Sequence, residues 1–350
     1  MIALRIVACA AAVIACLSCR PTPIPAVTYN LPAIELTPIP PSRNARVEFA
    51  KVFCDVLRHD SSLDDPPVGW ESCGQYIEGG VEQGTSGLAA IPTKYHVLLV
   101  SGIFSECLAP QGITAFSQGL AHLKARHGLD AVEARVSGVG SSSVNATQIN
   151  DFLQARSGEY IAIGYSKGAP DLMEAMMAAG GPAATKIKAL VTVAGAVGGS
   201  RLPDVVPNGM EEWIRAVLQQ SGIPGCSVKD AGGVDSLRRS TRQAFLARYV
   251  ATAPGFSIVG VSNEQTTSRV LQLPWTWLSR YSRDQDSQVV AEESVLPGGT
   301  YLGVARADHW AIALPFWEKH ADAAEVNRNK FPRTALLEAI VRFVTARLPP

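Results

Sequence analysis

Charge of one sign is missing from this chain. Its 350 residues carry 31 Lys and Arg against 31 Asp and Glu, a formal net charge of zero. Neither sign is clustered, so nothing points to a nucleic-acid or acidic partner. No internal repeat is present, which excludes solenoid and propeller architectures. Histidine is scarce, with six in the whole chain, and the number that can serve as a base at any one site is correspondingly small. Apolar residues make up 47%, enough for a substantial core, and the length allows one large domain or two small ones.

The apolar run at the N-terminus, MIALRIVACAAAVIACLSC, is too short for a permanent membrane helix. One early arginine followed by small apolar residues reads as a signal peptide over residues 1–19. It resembles a bacterial lipoprotein signal, in which a cysteine after the cleavage site receives a lipid. Cys16 follows the better-fitting Val13-Ile14-Ala15, whereas Cys19 directly precedes the proline-rich stretch. Lipidation at Cys19 or Cys16 would hold the protein on the bacterial cell envelope; a plain secreted protein is the alternative. Residues 20–45 read as an extended, proline-rich tether. The other cysteines past the signal region, Cys54, Cys73, Cys107 and Cys226, are even in number, as in an oxidising compartment. Cys54 with Cys73 and Cys107 with Cys226 is the natural pairing, with the two other connectivities open.

Strand and helix patterns alternate from there on. An amphipathic helix is expected over Ala45–Leu57, and 46–91 reads as an N-terminal extension stapled to the core. Unbroken apolar runs at Tyr95–Val100, Tyr160–Ile163 and Ile187–Val193 read as buried parallel strands. Further strands are expected at Ala131–Val136, Phe256–Val261 and Tyr301–Ala305. Helical spacing covers Ile113–Ala125, Asn145–Leu153 and a closing helix with a stripe from Leu336 to Leu348. The fold class is therefore α/β, a mostly parallel sheet covered by helices on both faces. A looser stretch over about 200–254 reads as an inserted lid, with helices around Trp213–Gln219 and Leu237–Arg248. Trp275 and Trp277 follow it, as walls of a substrate pocket or as packing for the lid.

The chemistry centres on Gly164-Tyr165-Ser166-Lys167-Gly168, which lies between a strand and a helix. Strand, G-x-S-x-G and helix is the context of a nucleophile elbow: a strained serine on a sharp turn, flanked by glycines because a Cβ would collide. A serine hydroxyl needs a histidine to take its proton and a carboxylate to orient that histidine. Only His309 and His320 follow Ser166. His309 lies just past the last strand, whereas His320 sits in a polar helical stretch. Asp286 is the preferred acid, ahead of Asp284 and Glu264, with Asp308 too close to the histidine to face it. Oxyanion donors are expected from the amides of Lys167 and Ile103, with the Lys167 side chain solvated.

With those residues placed, the chain resembles an α/β-hydrolase, and more narrowly the bacterial lipases and carboxylesterases. Ser142–Ile149, Gly164–Gly168, Val191–Ser200 and Asp286–Val290 with Asp308-His309 carry the resemblance. It departs in Ser101-Gly102 where those lipases have His-Gly, in Lys167 after the serine, and in Ser287 where a glycine follows the acid. The resemblance implies a catalytic domain over 46–350 and an ester hydrolase acting on a small-molecule or lipid ester. No metal and no cofactor are expected. Acyl transfer, another ester class (polyester, cell-wall acetyl ester, lysophospholipid) and a non-catalytic surface module remain as alternatives.

Overall fold

Seven strands pair in parallel throughout one sheet of order β1-β7-β6-β5-β4-β2-β3. They are β1 (Arg43–Asn44), β2 (Tyr95–Val100), β3 (Ala131–Glu133), β4 (Glu159–Tyr165), β5 (Ile187–Val193), β6 (Gly255–Gly260) and β7 (Thr300–Ala305). This is a computed structural model, and it describes residues 43–59, 73–80, 88–206, 209, 212, 216, 232–315 and 331–350. The expected signal peptide, nearly all of the tether, all but Ala216 of the helix expected around Trp213–Gln219, Cys226 and His320 lie outside the described residues. Among those described, no helix is long and apolar enough to cross a membrane.

The unbroken apolar runs follow from burial on both faces. Along β2, Val97 and Leu99 point into one core while Leu98 and Val100 point into the other, the period-two alternation of a strand. The first core lies under α1 (Arg46–His59), α2 (Ser117–His127) and α7 (Arg333–Thr345). There Phe49 meets Phe343 edge-on, with ring centroids 5.5 Å apart. The second lies under α3 (Ser142–Gln154), α4 (Gly168–Met177) and α5 (Arg239–Leu246), where Ile149, Leu172, Met173 and Phe245 pack together. A further short helix, α6 (Gln272–Leu278), follows β6.

One difference from the sequence reading has a plain cause. Arg43–Asn44, at the end of the expected tether, pairs with Thr300 and Tyr301 as an edge strand. Two residues carry no periodicity, so only the partner strand defines them. The described second half of the expected lid is anchored: Arg242 of α5 is fully buried, donates to the Val197 carbonyl at 3.1 Å and pairs with Glu174 of α4 at 3.2 Å.

Cys54 and Cys73 form a disulfide that staples α1 to the short helix Cys73–Tyr76. Cys107 is also disulfide-bonded, and its expected partner Cys226 lies outside the described residues.

Candidate active site

The turn between β4 and α4 places Ser166 at the carboxyl edge of the sheet. Its φ is +55°, in the left-handed region that a serine rarely adopts. The turn is held by Ser166 N–H donating to the Val193 carbonyl at 3.2 Å, and by the Ala196 and Ala169 amides donating to the Ser166 carbonyl. A Cβ on Gly168 would lie 2.0 Å from the Val100 carbonyl oxygen, and one on Gly164 2.6 Å from Ala169 Cα. Only glycine allows the helix to start so close to the strands.

His309 follows β7, and its Nε2 is 2.8 Å from Ser166 Oγ. Its Nδ1 is 2.7 Å from Asp286 Oδ2. The other oxygen, Asp286 Oδ1, accepts from the Gln288 and Val289 amides at 2.9 and 2.8 Å. The Asp286 carbonyl accepts from the His309 amide at 2.8 Å, so the two loops are tied through backbone as well. All three side chains are buried. Glu264 is exposed and Asp284 half-buried, and neither pairs with His309.

Asp308 does other work. Its Oδ1 accepts from the Trp310 and Ala311 amides and its Oδ2 from the Ser268 amide and hydroxyl. These bonds fix the turn that carries His309. Burial raises the Asp308 carboxyl above the usual range, against the pull of those bonds.

Tyr165 had no assigned role in the sequence reading. Its hydroxyl donates to the His309 carbonyl at 2.6 Å and its ring lies against the imidazole, centroids 5.3 Å apart. Burial pushes its phenol well above the ordinary value, so it remains a donor. It occupies the variable position before the serine, where the motif gives no signal.

The loop after β2 passes directly over Ser166: a Cβ on Gly102 would lie 2.9 Å from Ser166 Cβ and 3.2 Å from Oγ. The Ile103 and Lys167 amides, the expected oxyanion donors, flank this spot and donate to no other described residue. The Lys167 side chain is a correction. Rather than being solvated, it is 1% exposed and its Nζ contacts both oxygens of Asp171, at 2.8 and 2.9 Å. Asp171 also accepts from Asn145 Nδ2 at 2.7 Å. An ammonium one turn from its carboxylate on α4 is drawn inward by that partner.

Ser166 and His309 open onto a cavity of about 130 Å³. Its walls are largely apolar, with Phe104, Leu108, Ile113, Trp310 and Leu314 among them. Glu133 and Arg135 add polar groups at one side. Ser101 Oγ donates to the Glu133 carboxylate, whose pKa is raised by burial despite that bond and nearby Arg135. Trp275 and Trp277 are not among the lining residues; Trp275 Nε1 donates to the Ser262 carbonyl at 3.0 Å. The one cluster with metal-ligand spacing among the described residues lies outside this cavity.

A metagenomic carboxyl esterase of known structure is similar over 90% of this chain and 98% of its own, with TM-score 0.76 and 26% identity. The Staphylococcus hyicus lipase matches at TM-score 0.52 and 13% identity, over 75% of this chain and 98% of its own. EstA from Clostridium botulinum matches at TM-score 0.52 and 14% identity, over 85% and 97%. The fold is that of the α/β-hydrolases. The structural neighbours are bacterial carboxylesterases and lipases; at 13% and 14% identity the last two speak to the fold alone. No protein-family model and no curated protein matches the sequence.

Proposed function

We propose that this protein is an exported serine carboxylic ester hydrolase. The observation that carries the reading is the unbroken hydrogen-bond chain from Ser166 Oγ through the imidazole of His309 to Asp286, at the wall of a mostly apolar cavity. Ser166 Oγ attacks the ester carbonyl while His309 Nε2 takes its proton. Asp286 accepts from Nδ1–H, which fixes the tautomer and stabilises the imidazolium. The Ile103 and Lys167 amides hold the oxyanion of the tetrahedral intermediate, aided by the N-terminus of α4. His309 returns the proton to the leaving alcohol, and water then releases the acid from Ser166 by the same route.

The substrate is an ester of a short acyl group. The small cavity supports a short acyl group, and the carboxyl esterase that aligns over nearly all of both chains supports an ester as the substrate class. Export, with lipid attachment at Cys19 or Cys16, is supported by the N-terminal apolar run and by the Cys54–Cys73 disulfide, which needs an oxidising compartment.

The test is hydrolysis of p-nitrophenyl esters from acetate to palmitate by the wild type and by Ser166→Ala. Activity should peak at short chains and fall by about 10⁴-fold or more in the variant. A fluorophosphonate should label the wild type at Ser166. Retained activity in Ser166→Ala, or an unlabelled Ser166 in folded protein, would overturn the reading.

A further inference from the structure

A second group of chemically capable side chains lies on the opposite half of the helix that abuts the active site. Phe116, at the start of α2, meets Tyr165 edge-on. Further along α2 stand His122 and, at its last position, His127. Phe116 and His127 are about 16 Å apart along the axis at 1.5 Å per residue. α2 runs against α7 closely enough that a Cβ on Gly119 would lie 2.7 Å from Leu337 Cδ2. That approach brings Glu338, the next residue of α7, between the two histidines.

His122 Nε2 is 2.6 Å from Glu338 Oε2. His127 Nε2 is 3.3 Å from the same oxygen, is buried, and makes no hydrogen bond. The three donor atoms all lie within 4.8 Å of one another. The second carboxylate oxygen, Oε1, is held by Arg342 at 2.7 Å, which leaves Oε2 aimed at the two rings. We propose that His122, His127 and Glu338 form a zinc site that clamps α7, the closing helix, onto α2.

Two imidazoles and one carboxylate are a donor set that zinc accepts, with water completing the tetrahedron. Tetrahedral zinc with bonds of about 2.0–2.1 Å sets its ligands roughly 3.3 Å apart. The His127–Glu338 separation already has that value, and the His122–Glu338 contact needs to open by a fraction of an ångström once the Nε2 proton leaves. Arg342 acts as the outer partner that orients the carboxylate. No metal was expected from the resemblance, which offered no match to the calcium ligands some lipases carry; His122 and Glu338 are 216 positions apart, so no local motif marks them.

The experiment is a zinc titration of the untagged full chain after chelator treatment, followed by calorimetry and by the thermal midpoint. The wild type should bind one zinc at roughly micromolar affinity or tighter, and its midpoint should rise by about 5 °C at saturation. His122→Ala and His127→Ala should each weaken binding by about a hundredfold or more, since even an outer partner is worth tenfold to a hundredfold. His96→Ala should change nothing, and ester hydrolysis should persist in all three. Zinc-edge X-ray absorption on the wild type should show two imidazoles and oxygen ligands. No zinc binding by the wild type, undiminished binding in either the His122 or the His127 variant, or a sulfur shell in the absorption spectrum would overturn the site. If hydrolysis is absent while zinc binds as described, only the ester-hydrolase reading falls.

Discussion

Ser287 follows the acid of the site with φ +84°, a left-handed conformation that glycine adopts freely and serine does not. Its hydroxyl is buried without a hydrogen-bond partner. The side chain therefore contributes strain and an unsatisfied polar group, each costing about 1 kcal/mol. Replacing it by glycine adds unfolded-chain entropy worth about 0.5–1 kcal/mol. Ser287→Gly should stabilise the protein by about 1 kcal/mol, read as a raised urea midpoint at unchanged slope. An unchanged or lowered midpoint would show that the backbone here is relaxed despite its φ. The departure from the family pattern was visible in the sequence, but its consequence was not, because φ is a property of the folded loop.

At the scale of an element, α4 is fixed from below by charge. Lys167 and Asp171 form a buried pair one turn apart, with Asn145 of α3 closing the carboxylate's remaining bonds. Removing one partner of such a pair leaves the other buried and uncompensated, at a cost of about 3–5 kcal/mol. Lys167→Met should therefore lower stability by about that amount, measured by chemical denaturation. Loss of ester hydrolysis should follow unfolding, because the backbone amide is retained. If the variant is as stable as the wild type, the ammonium does not hold the carboxylate in solution. The sequence showed the i, i+4 spacing, yet the same spacing serves equally for a solvated pair. Packing against α3, whose Asn145 lies 26 positions before Asp171, made the difference.

Across the whole molecule, the N-terminal segment is paired to the sheet, packed on the closing helix and stapled to itself. Arg43–Asn44 pairs with β7, α1 packs on α7, and the Cys54–Cys73 disulfide closes a loop with a sequence separation of 19. A loop of that length constrains the unfolded chain by about 3 kcal/mol. Replacing both cysteines by serine should lower stability by about 3 kcal/mol, measured by urea unfolding. It should leave ester hydrolysis at low temperature unchanged, since the disulfide touches no residue at the cavity. A loss well under 1 kcal/mol would mean that the reduced unfolded chain is already compact around this loop.

The sequence by itself determined the alternation of strands and helices, because buried parallel strands need continuous apolar runs and amphipathic helices need a 3.6-residue stripe. It also marked Ser166 between its two glycines, His309 just past the last strand, and Asp286 as the preferred acid in the interval between the last two strands, since strand-to-helix turns and post-strand loops leave local signatures. Tertiary structure alone decided which carboxylate faces His309, and that Asp308 instead holds the histidine's own turn. It decided too that Tyr165 braces the imidazole, that Lys167 is buried, and that Arg43–Asn44 is a strand. It brought His122 and His127 to Glu338 as well. Each of these depends on groups distant in sequence meeting at a few ångströms. Local patterns record what a segment prefers, and only the packed chain sets which of its partners arrives.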